Sequence, residues 1–324
     1  MTAASTAPRA SAIGDAIDRI ATNVEQVILG KSEVVRQLVL CLVAEGHVLI
    51  EDVPGVGKTT LAKALARSVD TTFGRVQFTP DLMPADVLGV NVWNRGTGAF
   101  ELHRGPIFTG IVLADEINRA SPKTQSALLE AMAERNVTID GETHPMEQPF
   151  LVLATQNPID HEGTYPLPES QLDRFLMRLS IGYPGRDAER QMLDELDGDG
   201  DPAGSVQAVV TVAEVRAASA ALAEVHVAPA LRGYLVDLAE ASRRHPHLAL
   251  GMSPRATLNL QRVSRARAAS VGRHFVTPDD IKALAEPVLA HRLVATPEAQ
   301  VQGISGAEAL DDLLRTVPVP TARA

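Results

Sequence analysis

The sequence predicts an α/β protein: a parallel five-stranded sheet flanked by helices, followed by a smaller all-helical domain. Three observations carry this reading. Five short runs, "HVLIED", "RVQFTPD", "GIVLADE", "PFLVLATQN" and "MRLSIGYP", have strand length, and most are almost continuously apolar. Runs of that kind belong to strands covered on both faces. Helical segments separate several of them, notably Lys58–Val69 and Pro122–Glu134, which is the alternation of a parallel sheet. From Val212 to Val294 the chain becomes alanine-rich and helical.

Residues 1–10 are polar and are expected to be disordered; residues 11–185 form the α/β core. Residues 11–46 read as two helices, with Ile13, Ala16, Ile17, Ile20, Val24 and Val27 at helical spacing in the first. "HVLIED" is the first strand. A glycine-rich turn follows, then a helix with Leu61, Leu65 and Val69 four residues apart. "VLGVNVWNRGTGAFELHRGPIF" alternates apolar and polar residues around Arg95-Gly96-Thr97-Gly98 and reads as a hairpin. Its Trp93, the only tryptophan, is expected to anchor the hairpin in a core. "NVTIDGETHPM" is a second hairpin, turning at Asp140-Gly141. Residues 186–210, with acidic and glycine-rich "DELDGDGDPAGS", read as a linker. The aspartate spacing there approaches a calcium loop, but Pro202 and Ala208 stand where glycine and glutamate are needed. Residues 211–324 form the helical domain. Its helices start at "SPRAT" and "TPDD", where Pro follows a capping Ser or Thr, and "SGAEALDDLLRTV" is the last.

Composition narrows the function. The chain has 324 residues and a formal net charge of −10, which argues against a broad basic surface for nucleic acid. Its single cysteine, Cys41, rules out a disulfide framework and reads as helix core. No apolar run is long enough to span a membrane, and the N-terminus lacks an apolar signal core, so a soluble cytoplasmic protein is expected.

The chemistry begins in "LIEDVPGVGKTTLAKAL". Gly57-Lys58-Thr59 ends like a phosphate-binding loop, G-x-x-x-x-G-K-[ST], but Asp52 replaces the first glycine. Gly55 and Gly57 permit the backbone angles that turn N–H groups toward phosphate oxygens, aided by the following helix N-terminus. Pro54 stiffens the turn, and Val56 and Thr60 complete it. The Asp52 carboxylate is expected to point away from the phosphates. In "GIVLADEINRA" a buried strand runs into Asp115 and Glu116. Asp115 and the Thr59 hydroxyl would hold Mg²⁺, and Glu116 would polarise the attacking water. Asn157, after "PFLVLATQ", stands where an amide could reach the γ-phosphate or that water.

These motifs resemble the MoxR family of AAA+ ATPases. The resemblance rests on "EDVPGVGKTTLAKALA", "LADEINRASPKTQSALLEAMAE", "VLATQNPIDHEGTYPLPESQLDRFL", "GMSPRA" and the ending "RTVPVP". It implies ATP and Mg²⁺ as cofactors, with Lys58 on the β- and γ-phosphates. It also implies Asn157 as sensor 1, Arg174 in "QLDRF" as a finger reaching the next subunit's nucleotide, and Arg255 in "MSPRATL" as sensor 2. A positive charge in a helix's first turn opposes the dipole, so an anion should accompany Arg255. Val27, Ile28 and Gly30 in "VILGKSEVV" would line the adenine pocket, and Arg119 would be an extra sensor. The hairpins resemble the inserts shared with magnesium chelatase subunits and minichromosome-maintenance helicases. The resemblance implies a homo-oligomeric ring, a hexamer, acting on a protein client, with proteins carrying a von Willebrand factor type A domain as the candidate class. Two alternatives stand beside this remodelling activity: a nucleic-acid motor and a nucleotide-gated switch. The hairpin tips carry one arginine and several acids, which disfavours strand tracking. Glu116 and Arg174 would be superfluous in a pure switch.

Overall fold

In the computed structural model, residues 7–157, 163–195 and 202–320 are described. The potential calcium-loop residues Asp197, Asp199 and Asp201 lie outside them. Two helices lead, α1 (Ala7–Glu25) and α2 (Ser32–Val43), then strand β1 (Val48–Glu51) and helix α3 (Lys58–Ser68). Strand β2 (Phe73–Gln77) and the short α4 (Pro84–Leu88) precede the first hairpin, β3 (Gly89–Asn94) and β4 (Ala99–Arg104). Strand β5 (Ile111–Asp115) and helix α5 (Pro122–Glu134) precede the second hairpin, β6 (Asn136–Ile139) and β7 (Glu142–Pro145). Strand β8 (Leu151–Gln156), α6 (Glu169–Leu172), β9 (Met177–Leu179) and α7 (Arg186–Glu195) follow. The remainder is α8 (Val212–Ala221), α9 (Pro229–Arg244), β10 (Leu248–Leu250), α10 (Pro254–Ser270), α11 (Pro278–Leu289), β11 (Val294–Ala295), α12 (Pro297–Val301) and α13 (Gly306–Thr316).

The five strand-like runs form one five-stranded sheet, ordered β2-β5-β8-β1-β9, with parallel pairing throughout. Alternate residues of the inner strands feed two cores. Val48, Ile50, Leu113 and Leu153 pack with α1, α2 and α3, whereas Leu49, Val112, Ala114 and Val152 pack with α5 and the hairpin bases. Period-two alternation between two apolar faces explains the continuous apolar runs. The edge strand β2, "FGRVQ", alternates buried and exposed residues instead. Cys41 is fully buried in α2.

Helix α1 joins core and lid. A Cβ added at Gly14 would fall 2.7 Å from the Ala269 carbonyl oxygen of α10, so only glycine permits this approach. The helix begins at Ala7, inside the segment expected to be disordered; Pro8 is tolerated in a first turn, where its missing N–H has no helical partner. The expected linker 186–210 contains α7. Its described side chains are exposed except for half-buried Ala188, so it has no broad apolar stripe to reveal it. The lid starts α10 and α11 at the predicted Ser253 and Thr277 caps and α13 at Ser305. It is helical apart from the short antiparallel pair β10–β11, too short to show a period of its own.

His47 pins β1 where it enters the sheet. Its Nδ1 accepts the Val152 N–H at 3.0 Å and its Nε2 donates to the Met132 carbonyl at 3.1 Å. Burial, with the Arg135 charge adding to it, pushes its pKa from 6.5 down to about 4. Acid therefore favours unfolding: the unfolded ring takes a proton below 6.5, and the folded ring refuses it until about 4. Stability should fall with pH through that window. Chemical denaturation across it should show His47→Gln losing about one proton's dependence, ~1.4 kcal/mol per pH unit, relative to the parent. An unchanged slope would remove His47 from the account.

Candidate functional site

Strand β1 hands the chain to the loop at Asp52. Gly55 and Gly57 take φ of +85° and +91°, and Gly57 caps α3 without any side-chain acceptor. The first-turn amides of an eleven-residue helix are thus left open to an anion. Lys58 Nζ donates to the carbonyls of Asp52 at 3.0 Å and Val53 at 2.9 Å. Thr59 and Thr60 are half-buried in the first turn. Ile28 lies against the loop: its Cδ1 is 4.0 Å from where a Cβ on Gly57 would be. Val27 and Val56 pack on the same core, and Gly30, at φ +70°, faces Ala188 of α7. The Asp52 carboxylate turns away from the loop, as expected. It accepts from Val53 N at 3.1 Å, Ser180 Oγ at 3.3 Å, Ile181 N, and Gly182 N at 2.8 Å.

Because β5, β8 and β1 are parallel neighbours, their C-terminal ends share one edge. That edge gathers Lys58, Asp115, Glu116 and half-buried Asn157. Two residues missed in the sequence complete it. Thr155 Oγ1 donates to Asp115 Oδ1 at 2.7 Å and accepts the Glu116 N–H at 2.9 Å. Arg75 on β2 lies 2.8 Å from Asp115 Oδ2. Arg75 lies outside every motif quoted above, and Thr155 lies within one without a role there; the strand order brings both in. Glu116 takes φ +57°, a left-handed conformation uncommon for a side chain of this kind. Its carboxylate pairs with Arg119 at 3.0 Å within the same chain. Among the described residues there is no group of three or more His, Cys, Asp or Glu that could hold a metal unaided. A metal at Asp115 and Thr59 would therefore need phosphate and water oxygens to complete its shell, as Mg²⁺ commonly does.

Arg174 and Arg255 stand elsewhere. Leu176 N donates to the His47 carbonyl at 2.8 Å, so Arg174 lies beside the N-terminal ends of β9 and β1. Strand β1 has four residues, about 13 Å, and separates that end from the loop. Arg174 Nη1 donates to the Leu129 carbonyl at 2.6 Å. Arg255, in the first turn of α10, lies 3.7 Å from Asp173, the anion its position calls for. Buried Arg292, also missed in the sequence, lies 3.3 Å from Asp173 and donates to the Phe175 carbonyl. Burial pushes its pKa down to about 10, against the opposing pull of Asp173. A cavity of about 180 Å³ is lined here by Arg135, Arg174, Arg255, Asn259, Arg262 and Glu45.

The first hairpin stands mostly outside the cores, whereas Val137 and Ile139 root the second in one of them. Trp93 is 52% exposed and Phe100 68%, their rings edge-to-face at 5.1 Å. Trp93 is therefore not the expected core anchor; its ring and that of Phe100 stand on an exposed part of the β3–β4 ribbon. Asp140 and Gly141 make the predicted left-handed turn, with φ of +49° and +88°. Asn91 Nδ2 reaches Asp140 Oδ2 at 2.9 Å and ties the two hairpins together. In the lid, the largely covered His245 side chain lies 3.3 Å from the Asp312 carboxylate.

Comparison with known proteins agrees with this architecture. Residues 47–177 match the ATPase family associated with various cellular activities (AAA), and residues 240–313 match the AAA lid domain. YeaC of Bacillus subtilis is 44% identical over 96% of this chain and 96% of its own. Chaperone MoxR1 of Mycobacterium tuberculosis is 40% identical over 95% of this chain and 83% of its own. The crystal structure of a candidate ATPase from Cytophaga hutchinsonii superposes with a TM-score of 0.90 at 36% identity, covering 97% of this chain and 98% of that one. With a glycine loop, an acidic pair and a helical lid all in the family's order, the chain belongs to the MoxR family of AAA+ ATPases.

Proposed function

We propose that this ATPase works as a ring, completing each active site between two subunits and using Mg²⁺-dependent ATP hydrolysis to remodel a protein client. The observation that carries the reading is the separation of the arginines from the loop. Arg174 and Arg255 lie at the opposite end of the sheet from Lys58, so they would serve a neighbour's nucleotide rather than their own.

Within one subunit, Lys58 and the open amides of α3 would take the phosphates, with Pro54, Gly55, Val56, Gly57 and Thr60 shaping the cradle. Val27, Ile28 and Gly30 would border the adenine. Bound Mg²⁺ would supply charge neutralisation at the β- and γ-phosphates. Asp115, oriented by Thr155, and Thr59 would hold it. Glu116 would orient the water once released from Arg119, and Asn157 would fix its far side. Arg174 and Arg255 of the neighbour would stabilise the charge of the transferring phosphoryl group.

The exposed hairpins are the client-facing candidates. Val90, Val92, Trp93 and Phe100 give one an apolar surface, and Asp140 and Glu142 give the other an acidic turn. Apolar and acidic groups suit a protein better than a phosphate backbone. A von Willebrand factor type A domain, whose metal-binding face would meet the acidic turn, is the client class we favour. Among the described residues no helix is long and apolar enough to cross a membrane, and action in the cytoplasm fits this reading.

Three outcomes are expected. Glu116→Gln should hold ATP within about threefold of the parent yet lose about a hundredfold or more in turnover, whereas Lys58→Ala should lose affinity. Nucleotide titration and phosphate release check both; normal turnover in Glu116→Gln would sink its assigned role. Arg174→Ala should lose about a thousandfold in rate while still binding ATP, and mixing it with Lys58→Ala subunits should restore part of the activity. Failure of Arg174→Ala to slow turnover at saturating protein would refute a shared site. Single- and double-stranded DNA at physiological salt should leave the ATPase rate unchanged, and a client should stimulate it. Strong DNA stimulation, abolished by Arg95→Glu, would instead favour a motor.

A further inference from the structure

The residue that breaks the phosphate-loop pattern, Asp52, has no part in the chemistry just described. It is only 6% exposed, and both carboxylate oxygens are engaged. One oxygen stays within the loop, on Val53 N. The other gathers the Ser180 hydroxyl and the N–H groups of Ile181 and Gly182. Those residues follow β9 and lead through Gly185 into α7, the way out of the core toward the lid. The same connector is held from its other side: Lys31 Nζ donates to the Tyr183 carbonyl at 2.7 Å. The Asp52 carbonyl, meanwhile, accepts from Lys58 Nζ. One residue thus carries the loop's lysine on its backbone and the lid's connector on its side chain. A carboxylate is costly to bury, and three donors from a single connector are what compensate it here.

We infer that Asp52 is a positioning residue that transmits nucleotide occupancy of the loop to the helical lid. A phosphate drawing Lys58 away from the carbonyls of Asp52 and Val53 shifts the backbone whose carboxylate grips Ser180, Ile181 and Gly182. The glycine that the general loop pattern asks for would allow the same turn and leave the connector untied. This inference rests on the reading that Pro54–Thr60 binds nucleotide.

The test uses the full chain with Asp52→Gly and Asp52→Asn. Three quantities are measured: affinity for a non-hydrolysable ATP analogue, steady-state kcat and KM, and amide exchange over residues 180–183 with and without the analogue. The parent should change its exchange there on binding the analogue. Asp52→Gly should bind the analogue within about threefold of the parent but lose the exchange response and on the order of tenfold in kcat. Asp52→Asn keeps a carbonyl acceptor without the charge, and should fall between, at least about threefold below the parent in kcat. A lower Tm with parental kcat and exchange response in Asp52→Gly would make Asp52 a structural tie only and overturn the inference. Should Asp52→Gly fail to fold, Asp52→Asn decides: parental kcat and response there also overturn it. Absence of analogue binding to the parent itself would instead defeat the nucleotide reading of the loop.

Discussion

The parallel pairing of β1 with β8 on one side and β9 on the other governs where the candidate site residues of the sheet stand. Ile50 pairs with Thr155, and Leu113 with Leu153, so the hydroxyl of Thr155 arrives beside the acids that end β5. A slip of one residue would turn that hydroxyl to the opposite face and exchange the apolar sets of the two cores. The burial of both faces is what forbids the slip. The geometry of the candidate site is thus a by-product of core packing, and the polar groups at the strand ends inherit a precision that their own hydrogen bonds could not supply.

The same ladder gives the molecule two ends of different electrical character. One end presents Lys58 and an open helix N-terminus beside two carboxylates. The other concentrates arginines in a chain whose formal net charge is −10. Local pairing keeps that concentration tolerable. Burial works against the charge on Glu45, but Arg262 and Arg135 override it and hold its carboxyl below the usual range. Asp173 does similar service among Arg255 and Arg292. Arg174, by contrast, is held by a neutral carbonyl. Charges held this way at an edge are available to another molecule at little cost in reorganisation.

Much of this was legible in the sequence, for identifiable reasons. The five strands announced themselves because both faces of the sheet are covered, and the loop, acidic pair and caps because each needs particular residue types at fixed spacing. What escaped notice depends on tertiary placement. Thr155 and Arg75 acquire roles only because β5 lies between β8 and β2. Arg292 is more than a hundred residues from the turn it supports. Helix α7 hid because Ala188, Met192 and Leu193 are its only apolar residues among charged and polar ones, and Trp93 misled because an aromatic in a hairpin looks the same whether or not another layer covers it.

The seat of Cys41 has a practical corollary. The thiol is enclosed on all sides within α2, and burial pushes its pKa far above the ordinary thiol range, so it offers almost no thiolate to solvent. As the sole sulfhydryl in the chain, it leaves the exterior without a thiol for thiol-selective reagents. A cysteine introduced on a hairpin tip or on α7 would be the one reactive handle, and a dye, spin probe or crosslinker could be placed there on the otherwise native protein without first removing anything.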